Sequence, residues 1–168
     1  MKIRKGLALI LALAMIITLM PTMAFASTTN TVDKTYSVAA DEDMPTVYID
    51  LKVTSTNGIA ANEANKFKLT LENAEWNVGD AGEVTDSNIF TSNAVKITDQ
   101  NGSDIGTATA TATAENSTTI TFTAKDKIAK DAYIRLALNL HAGSDDGAVK
   151  VAIDGLDSAI TSGTLTVA

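Results

Sequence analysis

Apolar and polar residues alternate along most of the chain beyond residue 45. In TVYIDLKV, Val47, Ile49, Leu51 and Val53 fall on one face, and Tyr48, Asp50 and Lys52 on the other. KFKLTLE sets Phe67, Leu69 and Leu71 against Lys66, Lys68 and Thr70. The same period recurs in AVKITD, TTITFTA, YIRLALNL, AVKVAID and the closing TLTVA. A repeat of 2 places side chains alternately on the two faces of a strand, so each segment predicts a β-strand with one buried and one wet face. Turn signals separate them: Asn57-Gly58, Asn101-Gly102, Asp146-Gly147, Asp154-Gly155 and Ser162-Gly163. Many short strands of this kind predict an all-β fold, an antiparallel β-sandwich of immunoglobulin-like or cohesin-like type with about 8–9 strands. Little helix is expected, one turn each over 59–65 and 125–131. Ile128 would then tuck under the sheet ahead of Tyr133, in a corner that could be a tyrosine corner.

The first 45 residues break the pattern. Lys2, Arg4 and Lys5 precede an apolar run over 7–20, then Pro21 and the small-x-small triplet Ala24-Phe25-Ala26. That order predicts a secretory signal peptide over 1–26, with an apolar core shorter than the roughly 20 residues of a spanning helix. Residues 27–45 are small and polar, yet Val32, Tyr36 and Val38 share one face if the segment is extended. They are expected to form either a loose leader or a donor strand that needs a partner. Residues 46–168 are expected to form a single sandwich domain.

Removal of 26 residues from 168 leaves 142, enough for one ordinary core. There is no cysteine, so an exported chain must hold together by packing. The formal net charge is −7, and since three of the 13 basic residues lie in the leader and all 20 acidic ones beyond it, the remainder carries −10. Such acidity argues against nucleic acid and, once the leader is cleaved, against anionic membranes.

Candidate chemistry is sparse. DQNGSD places Asp99, Asn101 and Asp104 around a tight turn, a possible calcium loop that lacks a distal glutamate, while Asn-Gly there also signals a hairpin. Trp76, the one tryptophan, could stack on a sugar ring or close the core. His141 is the single histidine, and Ser144 and Asp145 beside it are too close in the chain to converge as a triad. Without a nucleophile elbow, phosphate loop or zinc spacing, no enzymatic activity and no other cofactor is expected. TATATATA (107–114) puts Thr107, Thr109, Thr111 and Thr113 on one side of an extended strand and alanines on the other. It reads as a plain β-surface or as a flat docking strand, since flat strands of small residues accept an added strand.

The leader, the phrase FKLTLENAEWN, and the ending IRLALNL, GAVKVAIDG and AITSGTLTVA together resemble the extracellular β-sandwich modules of surface-layer-associated, S-layer-homology type proteins of clostridia and related Gram-positive bacteria. The resemblance implies a structural module at the cell surface. No wall-binding repeat or anchor follows Ala168 in this sequence, so retention is expected to come from contacts between subunits. The resulting expectation is a secreted, non-enzymatic subunit that assembles with itself as a filament or surface layer, Val32, Tyr36 and Val38 of one copy joining the sheet of the next. The alternative is an extracellular module binding a polysaccharide, such as a cell-wall glycan, or a protein.

Overall fold

A computed structural model describes residues 27–156 and 158–168. The signal-peptide reading concerns residues 1–26 and lies outside the described residues. Eleven strands follow one another: β1 (Thr28–Val32), β2 (Val47–Val53), β3 (Ala64–Glu72), β4 (Ala74–Trp76), β5 (Val95–Thr98), β6 (Gly106–Ala114), β7 (Ser117–Ala124), β8 (Tyr133–Leu138), β9 (Leu140–Ala142), β10 (Lys150–Asp154) and β11 (Gly163–Thr166). A four-stranded sheet has the order β1-β2-β8-β5, and a five-stranded sheet the order β11-β10-β3-β7-β6. β4 and β9 pair separately. Every pairing is antiparallel. The fold is an antiparallel β-sandwich.

The alternation seen in the sequence becomes burial. Val47, Ile49, Leu51 and Val53 of β2 face Phe67, Leu69 and Leu71 of β3, joined by Ile120 and Phe122 of β7 and by Ile134, Leu136 and Leu138 of β8, all in the core. Their partners in the sequence point outward. On the four-stranded sheet this outward face carries a part-buried ion pair. Arg135 Nε donates to Asp50 Oδ1 at 2.7 Å and Nη2 to Oδ2 at 2.8 Å, while Gln100 Nε2 donates to Oδ2 at 3.1 Å. Tyr48 lies under the guanidinium, 5.1 Å from ring centre to Cζ.

The strand count exceeds the expected 8–9 because the apolar pattern from 133 to 140 is divided at Asn139 into β8 and β9, and because the short β4 forms as the partner of β9. At Asn139 the chain changes partners: the Asn139 N–H donates to the Ala94 carbonyl and its own carbonyl accepts from the Asn77 N–H, while its side chain accepts from Thr46 Oγ1 and donates to the Asn93 carbonyl. The expected helical turns at 59–65 and 125–131 are absent. Ile59 and Ile128 instead form a mutual β-bridge, each N–H donating to the other's carbonyl at 2.8 and 2.9 Å. Both side chains are buried, so the tucked position of Ile128 is reached by an extended route. Gly58 is required there: its φ is +71°, and a Cβ would come within 2.3 Å of the Ile128 carbonyl oxygen. The helical residues lie elsewhere, in the single turns Gly79–Ala81 and Asn88–Thr91.

The guanidinium beside Asp50 holds its carboxyl below the usual carboxylate range, against the opposing effect of burial and with help from Gln100. A lowered carboxylate pKa stabilises the fold above the unfolded value, about 3.9, and that contribution disappears as pH falls through the folded value. Asp50→Asn leaves a part-buried guanidinium without its counter-charge and should cost about 2 kcal/mol at neutral pH. Urea unfolding monitored by tryptophan fluorescence should show this deficit at pH 7 and a smaller one below about pH 4.

Candidate functional site

The N-terminal segment is neither loose nor detached in this structure. β1 adds to the edge of β2 in register, Thr28 opposite Val53 through Val32 opposite Ile49. Its other edge meets residues 159–161. Ser27 N–H donates to the Ala159 carbonyl at 2.8 Å, Thr28 N–H to Thr161 Oγ1 at 3.1 Å, and Asn30 Nδ2 to the Thr161 carbonyl at 2.6 Å. The chain then crosses to the second sheet, where Tyr36 N–H donates to the Val167 carbonyl at 2.9 Å and its hydroxyl to the Thr46 carbonyl at 3.0 Å. Further on, Met44 N–H donates to the Leu140 carbonyl, and Ala142 N–H to that of Glu42, both at 2.9 Å. Residues 27–44 are thus a strap across one side of the sandwich. Val32, Tyr36 and Val38 pack against this chain's own core, which corrects the expectation of a free donor segment. The physical reason is that β2 offers an unpaired edge within reach, and pairing it satisfies both strands' backbone groups.

The strap's far end is latched by His141. Its Nδ1 lies 2.8 Å from Asp43 Oδ1 and its Nε2 3.4 Å from Asp41 Oδ1. On β4, Glu75 is its direct cross-strand partner, and Glu115 lines the same open cleft of about 620 Å³. Among the described residues, the charged groups facing the imidazole are therefore carboxylates. Ser144 also lines the cleft, but the histidine's bonds go to the strap, so no triad forms.

The threonine row is only partly as the alternation suggests. Thr107, Thr109 and Thr111 are exposed on the outer face and stand opposite Thr123, Thr121 and Thr119 of β7. A β-bulge follows, with Ala112 at φ 51°, and it reverses the phase. Thr113 consequently leaves the row: its Oγ1 sits 2.8 Å from that of the buried Thr118. The Thr113 N–H, turned to the outer edge, is capped by Asp86 Oδ1 at 2.8 Å. That side-chain and backbone hydrogen bonding to Thr113 holds the Asp86 carboxyl below its ordinary range.

Asp99, Asn101 and Asp104 do not converge as a ligand set. One oxygen of Asp99 accepts the N–H groups of Asn101 and Ser103, both at 2.8 Å, and Asp104 Oδ1 accepts that of Gly106 at 3.2 Å. Gly102 takes φ +83° to close the turn. These oxygens are engaged by the backbone as in an Asx-turn, which corrects the calcium expectation. Among the described residues no group of three or more His, Asp or Glu side chains is placed to hold a metal. Trp76 is 3% exposed, opposite Leu140, and its Nε1–H has no acceptor among the described residues. It closes the core and offers no platform to a sugar, the second correction among the ligand expectations. Among the described residues no helix is long and apolar enough to cross a membrane. Comparison with protein-family models and with curated proteins gives no match for this chain.

Sequence reasoning missed the His141 latch and the Asp50–Arg135 pair. Each joins residues far apart in the chain, separated by 98 and 85 positions. No local spacing announces them.

The Asp43 hydrogen bond raises the His141 pKa above its ordinary value, opposed by partial burial and assisted by Asp41. A raised histidine pKa adds stability that is full below the unfolded value, about 6.5, and is lost as pH rises through the folded value. The partners are well exposed, so solvent screening keeps the effect to about 0.5–1 kcal/mol. His141→Gln should therefore melt below the wild type at pH 5.5 and approach it at pH 9. Added salt should narrow the gap at the lower pH.

Proposed function

We propose that this protein is a secreted, non-enzymatic structural subunit that assembles with copies of itself at the cell surface by exchange of its N-terminal strap. The observation that carries this reading is the way residues 27–44 are held. They sit in a slot between the edge of β2 and residues 159–161 and 167, largely by backbone hydrogen bonds. A slot read mainly by backbone geometry accepts the same segment from any copy. Exchange then replaces each intramolecular bond by an identical intermolecular one, so its enthalpic cost is small. Passed head to tail, the exchange does not close and builds a fibre. Val32, Tyr36 and Val38 would fill in a neighbour the positions they fill here. Carbohydrate binding is a weaker reading, because the buried Trp76 removes its aromatic platform.

A reversible lock tests this. Thr29 and Lys52 are cross-strand Cα partners in a hydrogen-bonded position, where the separation of about 5.5 Å suits a disulfide. The chain has no cysteine to interfere. The Thr29→Cys/Lys52→Cys protein, oxidised while monomeric, should show no polymers by electron microscopy, and reduction should restore the wild-type fibres. Equal polymerisation of the locked form, or a wild type that stays monomeric by light scattering, would end the proposal.

A further inference from the structure

The sandwich has two sides, and only one of them is strapped. On the other, the sheets end in β5 and β6. β5 is a four-residue strand carrying Lys96, a short and charged edge of the kind that discourages pairing. β6 runs for nine residues with no charge and no proline. Its inner edge is paired to β7, and Lys125 N–H donating to the Ile105 carbonyl fixes which residues make those bonds. By alternation Thr107, Thr109 and Thr111 direct their backbone groups at β7, whereas Ala108 and Ala110 direct theirs outward. The open stretch is bounded at both ends. Asp104 accepts the Gly106 N–H, and beyond the bulge Asp86 accepts that of Thr113. No described residue caps Ala108 or Ala110. Beneath them lies an open groove of about 410 Å³ whose apolar lining includes Phe90, Val95, Ile97 and Phe122.

We propose that β6 pairs antiparallel with β6 of a second copy about a two-fold axis through Thr109, joining two five-stranded sheets into one. The backbone dictates that the occupant is an extended strand, since only a strand presents donors and acceptors at a two-residue spacing. The side chains select a second copy of this chain. With the axis at Thr109, Ala108 of each copy meets Ala110 of the other and they exchange both N–H···O bonds. Thr109 meets Thr109 and Thr107 meets Thr111, the same threonine–threonine pairing that β6 already makes with β7. An axis at Ala108 or Ala110 would keep the outward-facing groups in phase, but it would pair an alanine with Gly106, whose N–H Asp104 already takes, or with Ala112 at the bulge. The chain as a whole is acidic, with net charge −7, so most of its surface repels a copy of itself; within 106–114 no side chain is charged, and the carboxylates of Asp104 and Asp86 stand only at the two ends of the stretch. The pairing also brings to the seam the two grooves, which Lys96 and Asp104 line along with the apolar side chains. It uses the opposite side of the sandwich from the strap and stands or falls separately from strap exchange.

Analytical ultracentrifugation of the purified protein tests it, up to about 1 mM to reveal weak association. The strap-locked chain should still dimerise. Thr109→Lys and Thr109→Glu each set like charges face to face across the axis and should weaken dimerisation about tenfold or more. Both substitutions lie on the exposed face, and their melting temperatures check that the monomer is intact. An equimolar mixture of the two should recover dimers of mixed composition, a rescue that a folding defect would not show. A monomeric strap-locked chain overturns the proposal, and so do Thr109→Lys dimers as tight as the unsubstituted ones.

Discussion

Two sheets are held face to face here by aliphatic and aromatic side chains alone, in a chain without cysteine and, among the described residues, without a metal cluster. Each wholly buried Ile, Leu or Phe contributes about 1.5–3 kcal/mol relative to exposure, and the strands that supply them are adjacent in space while distant in sequence. β2 lies between β1 and β8, and β3 between β7 and β10, so neither of these strands, which bury Ile49, Leu51, Phe67 and Leu69 completely or almost so, has an exposed edge. Everything else follows from filling that interior. The polar half of each strand faces out, turns must be tight, and whatever lies at the sheet rims has to deal with unpaired backbone.

The rims are treated differently on the two sides. On one, the strap supplies β1 as an extra strand, ties Ser27 and Thr28 to residues 159–161, and gives its Tyr36 N–H to the last strand's extension. It ends on the His141 latch, where, among the described residues, an imidazole faces carboxylates. This arrangement makes the strap's far end the most pH-sensitive of its attachments, while β1 itself rests on pH-independent backbone bonds.

Much of the sandwich was legible in the sequence because burial follows a period of 2, and the residues assigned to the inner faces of β2, β3, β7 and β8 are those found there. Three things were not legible. Asn139 looks like one more polar position in an alternating strand, and only the change of partners there, from β2 and β5 to β4, ends β8. The phase reversal at Ala112 leaves no trace in TATATATA, since alanine and threonine are small enough to occupy either side. The docking of residues 27–44 depends on an edge 20 residues downstream that composition cannot reveal, so a segment that looks loose by its own polarity is ordered by its neighbour's unpaired backbone. The candidate chemistry failed for a related reason: Asp99 and Asp104 are acidic oxygens, but nearby N–H groups claim them first.

The distribution of charge over the five-stranded sheet bears on what its outer face is for. Its middle is ionic: Lys150 bonds Glu72 at 2.8 Å, and Asp154 stands opposite Lys68. Towards β6 the charges stop. Lys66 and Lys68 of β3 face Thr121 and Thr119, and beyond them come only hydroxyl and methyl groups. Soluble sheets ordinarily do the reverse, placing lysine or proline at the rim where an unpaired edge invites association and leaving the protected centre neutral. Here the covered rims have the strap, the short rim has Lys96, and the longest open edge has neither. Asp86 with the bulge at Ala112 bounds that edge at one end and Asp104 at the other, so the carboxylates stand at its limits and the side chains between them are neutral. A surface under pressure only to stay soluble would carry its acidity there as it does elsewhere; an edge that is bounded at both ends and neutral between them has the makings of a joint.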